Sequence, residues 1–542
     1  MKKFWINFFG ILTCWEYVNG NKDDFYTAAV VEFPTSPHSA VTNVESMIED
    51  TLNEYLRLIN EAAESGVDIV AFPEGTLNYV GIATRRLLIK HAVELSDGDI
   101  YNSTDFNNKC NYSKKSPIIS RISLKSRENR IYVLINTIER VKSTRDNKAY
   151  NLYNTNIVFD RNGCIVSRYR KYNTKLDPLL NRTEIAQVQV FQTDFDVVFG
   201  HFTSLDIISK YPAYIMMQYG IQHILHPTLW YSSTPFYASL QLYQGFSYAN
   251  NIALMVAGAN NLVSGQGGSG IFVGTSGALV MYQPGGERMQ QMIISKIPKH
   301  LDTYSIRSDN NNIVKRYNQK EMDQLFISVI PVKNTHALVN QEFKKVCKGK
   351  LCCEFYLKYE SYDKPIAPKL GYSYRLSIFS GSDEYLDENS HEMHCAIVAC
   401  TEKESNCGSR FVPSDNVVAT VKFSEIHVSM TVELEELEDI DLMVMPTNID
   451  FLLLPLRVDD FAYTASDVFN ENNKQYKKYT ATLLSETDKI LTFGVLGRGF
   501  QLAEFHVDDN DFENDLLWWY LLSTMIFGAS LMVIVWRLTR DK

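Results

Sequence analysis

The chain has 542 residues, of which 45% are hydrophobic and 21% are charged, an ordinary globular composition that supplies a large core. Its formal net charge of −10 argues against a nucleic-acid partner, because affinity for nucleic acid depends on basic side chains that neutralise phosphates. At about 100–200 residues per domain, this length predicts more than one domain.

The first 20 residues have the three parts of a secretory signal peptide. Lys2 and Lys3 precede an apolar stretch from Phe4 to Trp15, and a small-residue cleavage site follows near Gly20. The alternative is a cytosolic N-terminal helix. Export is also favoured by three glycosylation sequons, which begin at Asn102, Asn111 and Asn181. We therefore expect the chain to enter the secretory pathway.

From residue 25 to about residue 300, strand and helix patterns alternate. Apolar runs predict strands at 26–32, 68–72, 131–135, 156–159, 165–169, 197–202, 221–225 and 252–256. Helical spacing is found at 44–63 and 236–250, and Asp160 to Gly163 predicts a hairpin turn. Strands that are apolar on both faces, alternating with helices, indicate an α/β fold with a helix-covered sheet. We assign residues 21–330 to this first domain.

Beyond a predicted linker at 307–320, short alternating strands indicate a second, mainly β domain at 335–507. Most of the cysteines lie in it. Without Cys14 of the signal peptide, eight of the nine cysteines remain: Cys110, Cys164, Cys347, Cys352, Cys353, Cys395, Cys400 and Cys407. An even number in an exported chain favours disulfides. A zinc cluster is the alternative, but the spacing lacks two CxxC pairs. We expect disulfides and no metal, and spacing alone leaves their pairing open.

The C-terminal segment 516–536 is uncharged and long enough to span a bilayer as one helix. Arg537, Arg540 and Lys542 follow it, as on the cytoplasmic side of a single span. A glycolipid-anchor signal is the alternative. Either reading predicts a membrane-attached protein that faces the outside of the cell.

Three polar residues follow predicted strands or turns and could carry chemistry. Glu74 could take a proton in acyl transfer, or be an exposed turn residue. Lys171 could stabilise an oxyanion, or belong to a solvated basic run. Asp177 precedes Pro178 and has a turn-forming alternative. Taken singly, the two structural alternatives for Glu74 and Lys171 are favoured.

The order of the motifs resembles the nitrilase superfamily, whose sites contain a glutamate, a lysine and a cysteine. The motifs are Phe72-Pro73-Glu74, Tyr169-Arg170-Lys171 and the segment from Phe199 to Asp206. Segments 153–160, 227–230 and 268–271 resemble the vanin and biotinidase branch, as do the cysteines near 347 and 352. The resemblance covers residues 25 to about 500.

This resemblance implies a four-layer α-β-β-α sandwich with a smaller mainly β, disulfide-containing C-terminal domain. It also implies a cofactor-free, cysteine-dependent amidase site for small amides such as pantetheine and biotinyl amides. Glu74 would be the general base and Lys171 the oxyanion stabiliser. Asp177 would correspond to a second glutamate, shortened by one methylene and so expected to be poorly placed.

Ser204 occupies the position of the nucleophilic cysteine. A hydroxyl needs an oriented base, usually histidine, to match the reactivity of a thiolate. His201 is three residues away, which on an extended strand places the two side chains on opposite faces. We therefore expect a cell-surface hydrolase scaffold in which amide hydrolysis is lost or impaired. Such a scaffold would bind a small molecule or a partner. The alternatives are an active amidase that uses Ser204, and a structural or adhesive ectodomain.

Overall fold

A computed structural model describes residues 24–501. Its gaps are residues 36–42, 83, 101–109, 111, 113–114, 144–148, 285–289, 304–327, 330–334, 338–342, 350, 363–369, 383–389, 402–406, 412–416, 434–439 and 470–473. The predicted signal peptide, the linker, the sequons at Asn102 and Asn111 and the 516–536 segment lie outside the described residues. Among the helices that are described, none has the length and apolarity needed to cross a membrane.

Two six-stranded sheets form the first domain. Its strands in chain order are β1 (Phe25–Pro34), β2 (Ile69–Ala71), β3 (Tyr132–Lys142), β4 (Tyr150–Phe159), β5 (Ile165–Arg170), β6 (Val190–Gln192), β7 (Val198–His201), β8 (His223–Thr228), β9 (Ser233–Thr234), β10 (Ala253–Asn260), β11 (Ser269–Val273), β12 (Gly277–Tyr282) and β13 (Gln291–Pro298). One sheet has the order β13-β1-β2-β3-β4-β5 and the other β6-β7-β8-β10-β11-β12. A short parallel pairing of β1 with β10 joins them.

Helices cover the outer faces of both sheets. They are α1 (Val44–Glu64), α2 (Arg85–His91), α3 (Pro117–Asn129), α4 (Ile215–Gln218) and α5 (Ser239–Asn250). Alternate residues of β1 explain the layering: Ala29 and Val31 pack towards α1 and α3, whereas Ala28 and Val30 pack towards the second sheet. Helix α5 packs on the second sheet. The result is the predicted four-layer α-β-β-α sandwich.

The second domain consists mainly of two antiparallel five-stranded sheets. Strand β14 (Ser328–Val329) comes at the end of the range assigned to the first domain. The strands of the second domain are β15 (Thr335–Ala337), β16 (Phe343–Lys348), β17 (Leu351–Ser361), β18 (Leu370–Gly371), β19 (Ser373–Ser382), β20 (Ser390–Cys400), β21 (Val417–Val418), β22 (Val421–Glu433), β23 (Ile440–Asp450), β24 (Phe461–Phe469), β25 (Gln475–Leu483) and β26 (Ile490–Gln501). The sheet orders are β15-β19-β20-β26-β23 and β16-β17-β22-β25-β24. Strand β14 instead pairs with β9 of the first domain.

Four disulfides use all eight predicted cysteines. They pair Cys110 with Cys164, Cys347 with Cys352, Cys353 with Cys395 and Cys400 with Cys407. The disulfide prediction is therefore confirmed, and the zinc-cluster alternative is wrong because these thiols are consumed in covalent pairs. The Cys353–Cys395 bond joins β17 to β20 and so links the two sheets of the second domain.

The two domains share a buried contact along α5, which lies between the second sheet and β23. A Cβ atom added to Gly245 would lie 2.4 Å from the carbonyl oxygen of Pro446. Gln241 Nε2 donates to Thr447 Oγ1 at 2.8 Å, and Gln244 Nε2 donates to the carbonyl of Leu456 at 2.7 Å. The second domain thus packs against α5, the helix that follows the candidate site in the chain.

Candidate active site

Glu74 lies just beyond β2, where only 1% of its surface is exposed. Gly75 follows with a φ of +72°, which glycine adopts without strain, and its N–H donates to Asn136 Oδ1 at 2.9 Å. From the next strand of the sheet, Asn154 Nδ2 donates to Glu74 Oε1 at 2.7 Å. The carboxylate is therefore a buried, fixed group, not the exposed turn residue that local sequence favoured.

Lys171 follows β5 and is 3% exposed. Its backbone N–H donates to the carbonyl of Asn154 at 2.8 Å, and Nζ lies 2.8 Å from Glu74 Oε1 and 2.7 Å from Asp177 Oδ2. Burial alone would lower the pKa of Lys171, but the two carboxylates outweigh burial and hold its pKa above the ordinary value. Lys171 is therefore a charged ammonium between two carboxylates.

Asp177 reaches Lys171 despite its shorter side chain. Its Oδ2 accepts from Lys171 Nζ, and its Oδ1 accepts from the hydroxyl of Tyr79 at 3.0 Å. The expectation that this carboxylate would be poorly placed is wrong, because its oxygen lies 2.7 Å from the lysine ammonium, at the end of a turn that begins at Thr174. Tyr79, which sequence reasoning missed, fixes the second oxygen.

Ser204 follows β7 and begins a short 3₁₀ helix that ends at Ile208. It is 4% exposed and has a φ of +45°, a left-handed conformation that costs energy for a residue with a Cβ atom. Its hydroxyl donates to Glu74 Oε2 and lies 3.2 Å from Thr228 Oγ1. The structure therefore brings Glu74, Lys171, Asp177 and Ser204 into one contiguous hydrogen-bonded cluster.

Asp206 holds the strained turn at Ser204. Its Oδ2 accepts from the N–H of Thr203 at 3.0 Å and from the hydroxyl of Tyr169 at 2.7 Å. Burial raises the pKa of Asp206 to about 6, although Lys171 and these hydrogen bonds oppose the rise. Because Tyr169 lies two residues before Lys171, Asp206 ties the Ser204 turn to the strand that carries the lysine.

The backbone of Leu229 supplies a donor that sequence reasoning missed. Its N–H lies 2.8 Å from Glu74 Oε2 and 2.9 Å from Ser204 Oγ. Backbone groups leave no residue-type signal, although Leu229 follows β8 at the sheet edge where ligand crevices form. Together with Lys171, this N–H could stabilise negative charge on a ligand carbonyl oxygen.

Histidine does not contact Ser204 within the described residues. His201 Nε2 lies 2.7 Å from Ser167 Oγ on β5. Ser204 lies beyond the end of β7, so the expected arrangement on opposite faces of one strand does not apply. His226 Nδ1 lies 3.4 Å from the carbonyl of Phe202. Burial lowers the pKa of both His201 and His226 to about 3, so both are neutral near pH 7. Glu74 is the group placed to accept a proton from Ser204.

The comparison with known proteins identifies the family. Residues 27–285 match the carbon-nitrogen hydrolase family, and residues 327–503 match the vanin C-terminal domain. Vanin-like protein 2 of Drosophila melanogaster is 30% identical over 505 residues, which cover 88% of this chain and 90% of that protein. The chain belongs to the vanin and biotinidase branch of the nitrilase superfamily. The predicted family and fold class are therefore confirmed.

Two further members of the branch have names that state a substrate. A pantetheine hydrolase of Homo sapiens is 27% identical over 365 residues, covering 64% of this chain and 68% of that protein. A biotinidase of Takifugu rubripes is 24% identical over 441 residues, covering 75% of this chain and 86% of that protein. This chain therefore has a vanin- and biotinidase-type hydrolase scaffold.

The third predicted sequon, at Asn181, lies within the described residues of this vanin-type scaffold. Asn181 Oδ1 accepts from the N–H of Leu152 at 2.9 Å and from Arg85 Nη2 at 2.6 Å, and its glycosylation stays a prediction. Across the described ranges, no group of three or more histidine, cysteine, aspartate or glutamate side chains is placed to hold a metal ion.

Proposed function

We propose that this chain is a cell-surface vanin-type scaffold that binds small amides and has lost, or nearly lost, the ability to hydrolyse them. The observation that carries the proposal is the hydroxyl of Ser204 in contact with Glu74, in a cluster that also contains Lys171. The acid and the cation of the family site are present. The nucleophile at the third position is an alcohol.

The chemical reason is the difference between a thiol and a hydroxyl. A thiol with a pKa of about 8.5 supplies some thiolate near neutral pH and is intrinsically nucleophilic. A serine hydroxyl stays protonated and needs a base such as histidine to remove its proton as it attacks. A carboxylate is a weaker base than an imidazole for that step.

Glu74 is also occupied by protein donors. Its Oε1 accepts from Asn154 and Lys171, and its Oε2 accepts from Ser204 and the N–H of Leu229. A carboxylate has about four lone-pair sites, so this set of donors satisfies it.

The retained groups support the binding of an amide. Lys171 Nζ and the Leu229 N–H could donate to a carbonyl oxygen. Two relatives are named as a pantetheine hydrolase and a biotinidase. We propose pantetheine-like or biotinyl amides as the ligand class. The predicted signal peptide at 1–20, the sequons and the 516–536 segment support a membrane-attached location outside the cell. We also propose that the two domains extend over residues 21–330 and 335–507.

The second candidate is an amidase that uses Ser204 itself. The direct hydrogen bond from Ser204 to Glu74 favours it, because a proton acceptor is already in contact with the hydroxyl. Such an enzyme would form an ester with the acyl group of the amide and release the amine.

Binding and turnover can be measured together on the purified full chain, with pantetheine and a biotinyl amide as probes. We expect no turnover, and a rise in melting temperature with ligand that Lys171→Met abolishes. Saturation at a hundred times Kd corresponds to about 2.7 kcal/mol of stabilisation. Turnover that disappears in Ser204→Ala would establish the second candidate. A melting temperature that neither probe raises would contradict the ligand class.

A further inference from the structure

The segment from Leu229 to Ala238 connects the candidate site to the second domain. It begins with the Leu229 N–H, which donates to Glu74 and Ser204. The indole Nε1 of Trp230 donates to the carbonyl of Tyr237 at 2.8 Å. Ser233 and Tyr237 exchange two backbone hydrogen bonds at 3.1 and 2.8 Å. The backbone of Tyr237 is therefore the fixed end of a loop that starts at the site.

The side chain of Tyr237 binds the second domain. Its hydroxyl donates to Glu392 Oε2 at 2.6 Å and accepts from Arg498 Nη1 at 3.3 Å. Arg498 is 1% exposed, and its Nη2 donates to Ser390 Oγ at 2.6 Å. The neighbouring ring of Phe236 packs on His394, with ring centroids 4.1 Å apart. The far end of the loop is thus fixed by charged groups on β20 and β26.

A buried ionic cluster is a poor source of stability. The free energy needed to remove Glu392 and Arg498 from water offsets much of their mutual attraction. Apolar residues of similar size often stabilise a fold equally well. Hydrogen bonds to such charges are directional, so the cluster fixes where the Tyr237 hydroxyl lies. The cluster therefore contributes mainly by fixing the position of the loop that carries Leu229.

We infer that Tyr237, Glu392 and Arg498 are positioning residues of the candidate site, through which the second domain aligns the Leu229 N–H with the nucleophile position. This inference rests on the proposal that the Glu74, Lys171 and Ser204 cluster is the ligand site. It gives the C-terminal domain a defined role in that site, although none of the described residues of that domain donates or accepts a hydrogen bond in the cluster.

A thiol introduced by Ser204→Cys reports on this alignment without any ligand or turnover. All eight other cysteines of the described chain are in disulfides, so the new thiol can be alkylated selectively there. The groups that face it are the Glu74 carboxylate, with Lys171 and Asp177 behind it, the Thr228 hydroxyl and the Leu229 N–H. A hydrogen bond from that N–H favours the thiolate and lowers the thiol pKa.

The test compares alkylation rate against pH for Ser204→Cys alone and combined with Tyr237→Phe or Glu392→Gln. The matched control adds Gln244→Leu, which removes a hydrogen bond of the same domain interface but does not touch the loop. We expect Tyr237→Phe and Glu392→Gln to raise the thiol pKa by about one unit, which slows alkylation about tenfold below that pKa. Gln244→Leu should leave the profile unchanged.

Melting temperatures separate positioning from simple packing. If Tyr237→Phe and Glu392→Gln lower the melting temperature as Gln244→Leu does but leave the thiol pKa in place, the inference is overturned. If either double variant fails to fold, the hydrogen-exchange rate of the 229–238 peptide is measured instead in the single variant Glu392→Gln. Exchange as slow as in the native chain would also overturn the inference. Because no substrate is involved, these results stand whether or not the native chain hydrolyses amides.

Discussion

The hydroxyl of Ser204 donates a hydrogen bond to the carboxylate of Glu74, 130 residues earlier in the chain. Both side chains are buried at the ends of strands in different sheets, and Lys171 contacts the other carboxylate oxygen. In the proposed site, an alcohol therefore stands where the family resemblance leads us to expect a thiol. This relationship decides which chemistry the site can perform.

The backbone at Ser204 should be strained, because its φ of +45° brings a Cβ atom into conflict with the following carbonyl. We expect Ser204→Gly to be more stable than Ser204→Ala by about 1 kcal/mol, since both remove the hydroxyl and only glycine adopts this conformation freely. Denaturant unfolding of the two variants measures the difference. Equal stabilities would contradict the strained turn.

Lys171 should be essential for stability because it neutralises two buried carboxylates. We expect Lys171→Met to lower the free energy of unfolding by about 3–5 kcal/mol, since it leaves Glu74 and Asp177 without their cation. The matched control is Lys90→Met, which breaks an exposed pair with Glu45 and should hardly change stability, because water and salt screen such a pair. Comparable losses in urea titrations of the two variants would show that the cluster is not held together by charge.

Much of the site scaffold could be predicted from the chain. The predicted strands at 68–72, 165–169 and 197–202 correspond to β2, β5 and β7, so Glu74, Lys171 and Ser204 were each placed at a strand end. The hairpin turn from Asp160 to Gly163 also forms as predicted, between β4 and β5. These features follow from local apolar runs and turn residues, which act over a few positions.

The remaining features depend on contacts distant in sequence. The strand predicted at 221–225 lies at 223–228, and this shift concealed the Leu229 N–H at its end. The supporting amide of Asn154 and the hydroxyl of Tyr79 have no local pattern that marks them. The disulfide pairing could not be deduced either, because eight cysteines allow about 105 pairings. Cys353 meets Cys395 only when the sheet that contains β17 packs against the sheet that contains β20.

Glu32 should make stability depend on pH. Burial raises its pKa to about 8, although hydrogen bonds from Ser269 and Gly268 oppose the rise. Between its unfolded pKa and about pH 8, the unfolded chain loses this proton and the folded chain keeps it, so the contribution to stability falls as pH rises. We expect Glu32→Gln to remove a slope of about 1.4 kcal/mol per pH unit at its steepest. Parallel curves of melting temperature against pH for native and variant would refute the assignment.

Gly245 should be required by the contact between α5 and the second domain. A methyl group there would meet the Pro446 carbonyl at 2.4 Å, and a backbone oxygen cannot rotate away. Alanine gains about 1 kcal/mol of helix propensity, but overpacking of this kind typically costs about 1–3 kcal/mol. We expect Gly245→Ala to be destabilising overall, as measured by thermal unfolding. The control is Gly98→Ala, where nothing lies within 4 Å and stability should hardly change.

The loss of hydrolysis at Ser204 is tested most directly by the hydrolysis rate of pantetheine by the purified native chain, measured beside Ser204→Cys under the same conditions. We expect no turnover above background for the native chain and a measurable gain for Ser204→Cys that Glu74→Gln abolishes. Native turnover that Ser204→Cys fails to increase would contradict this expectation, because the hydroxyl would then already be a competent nucleophile.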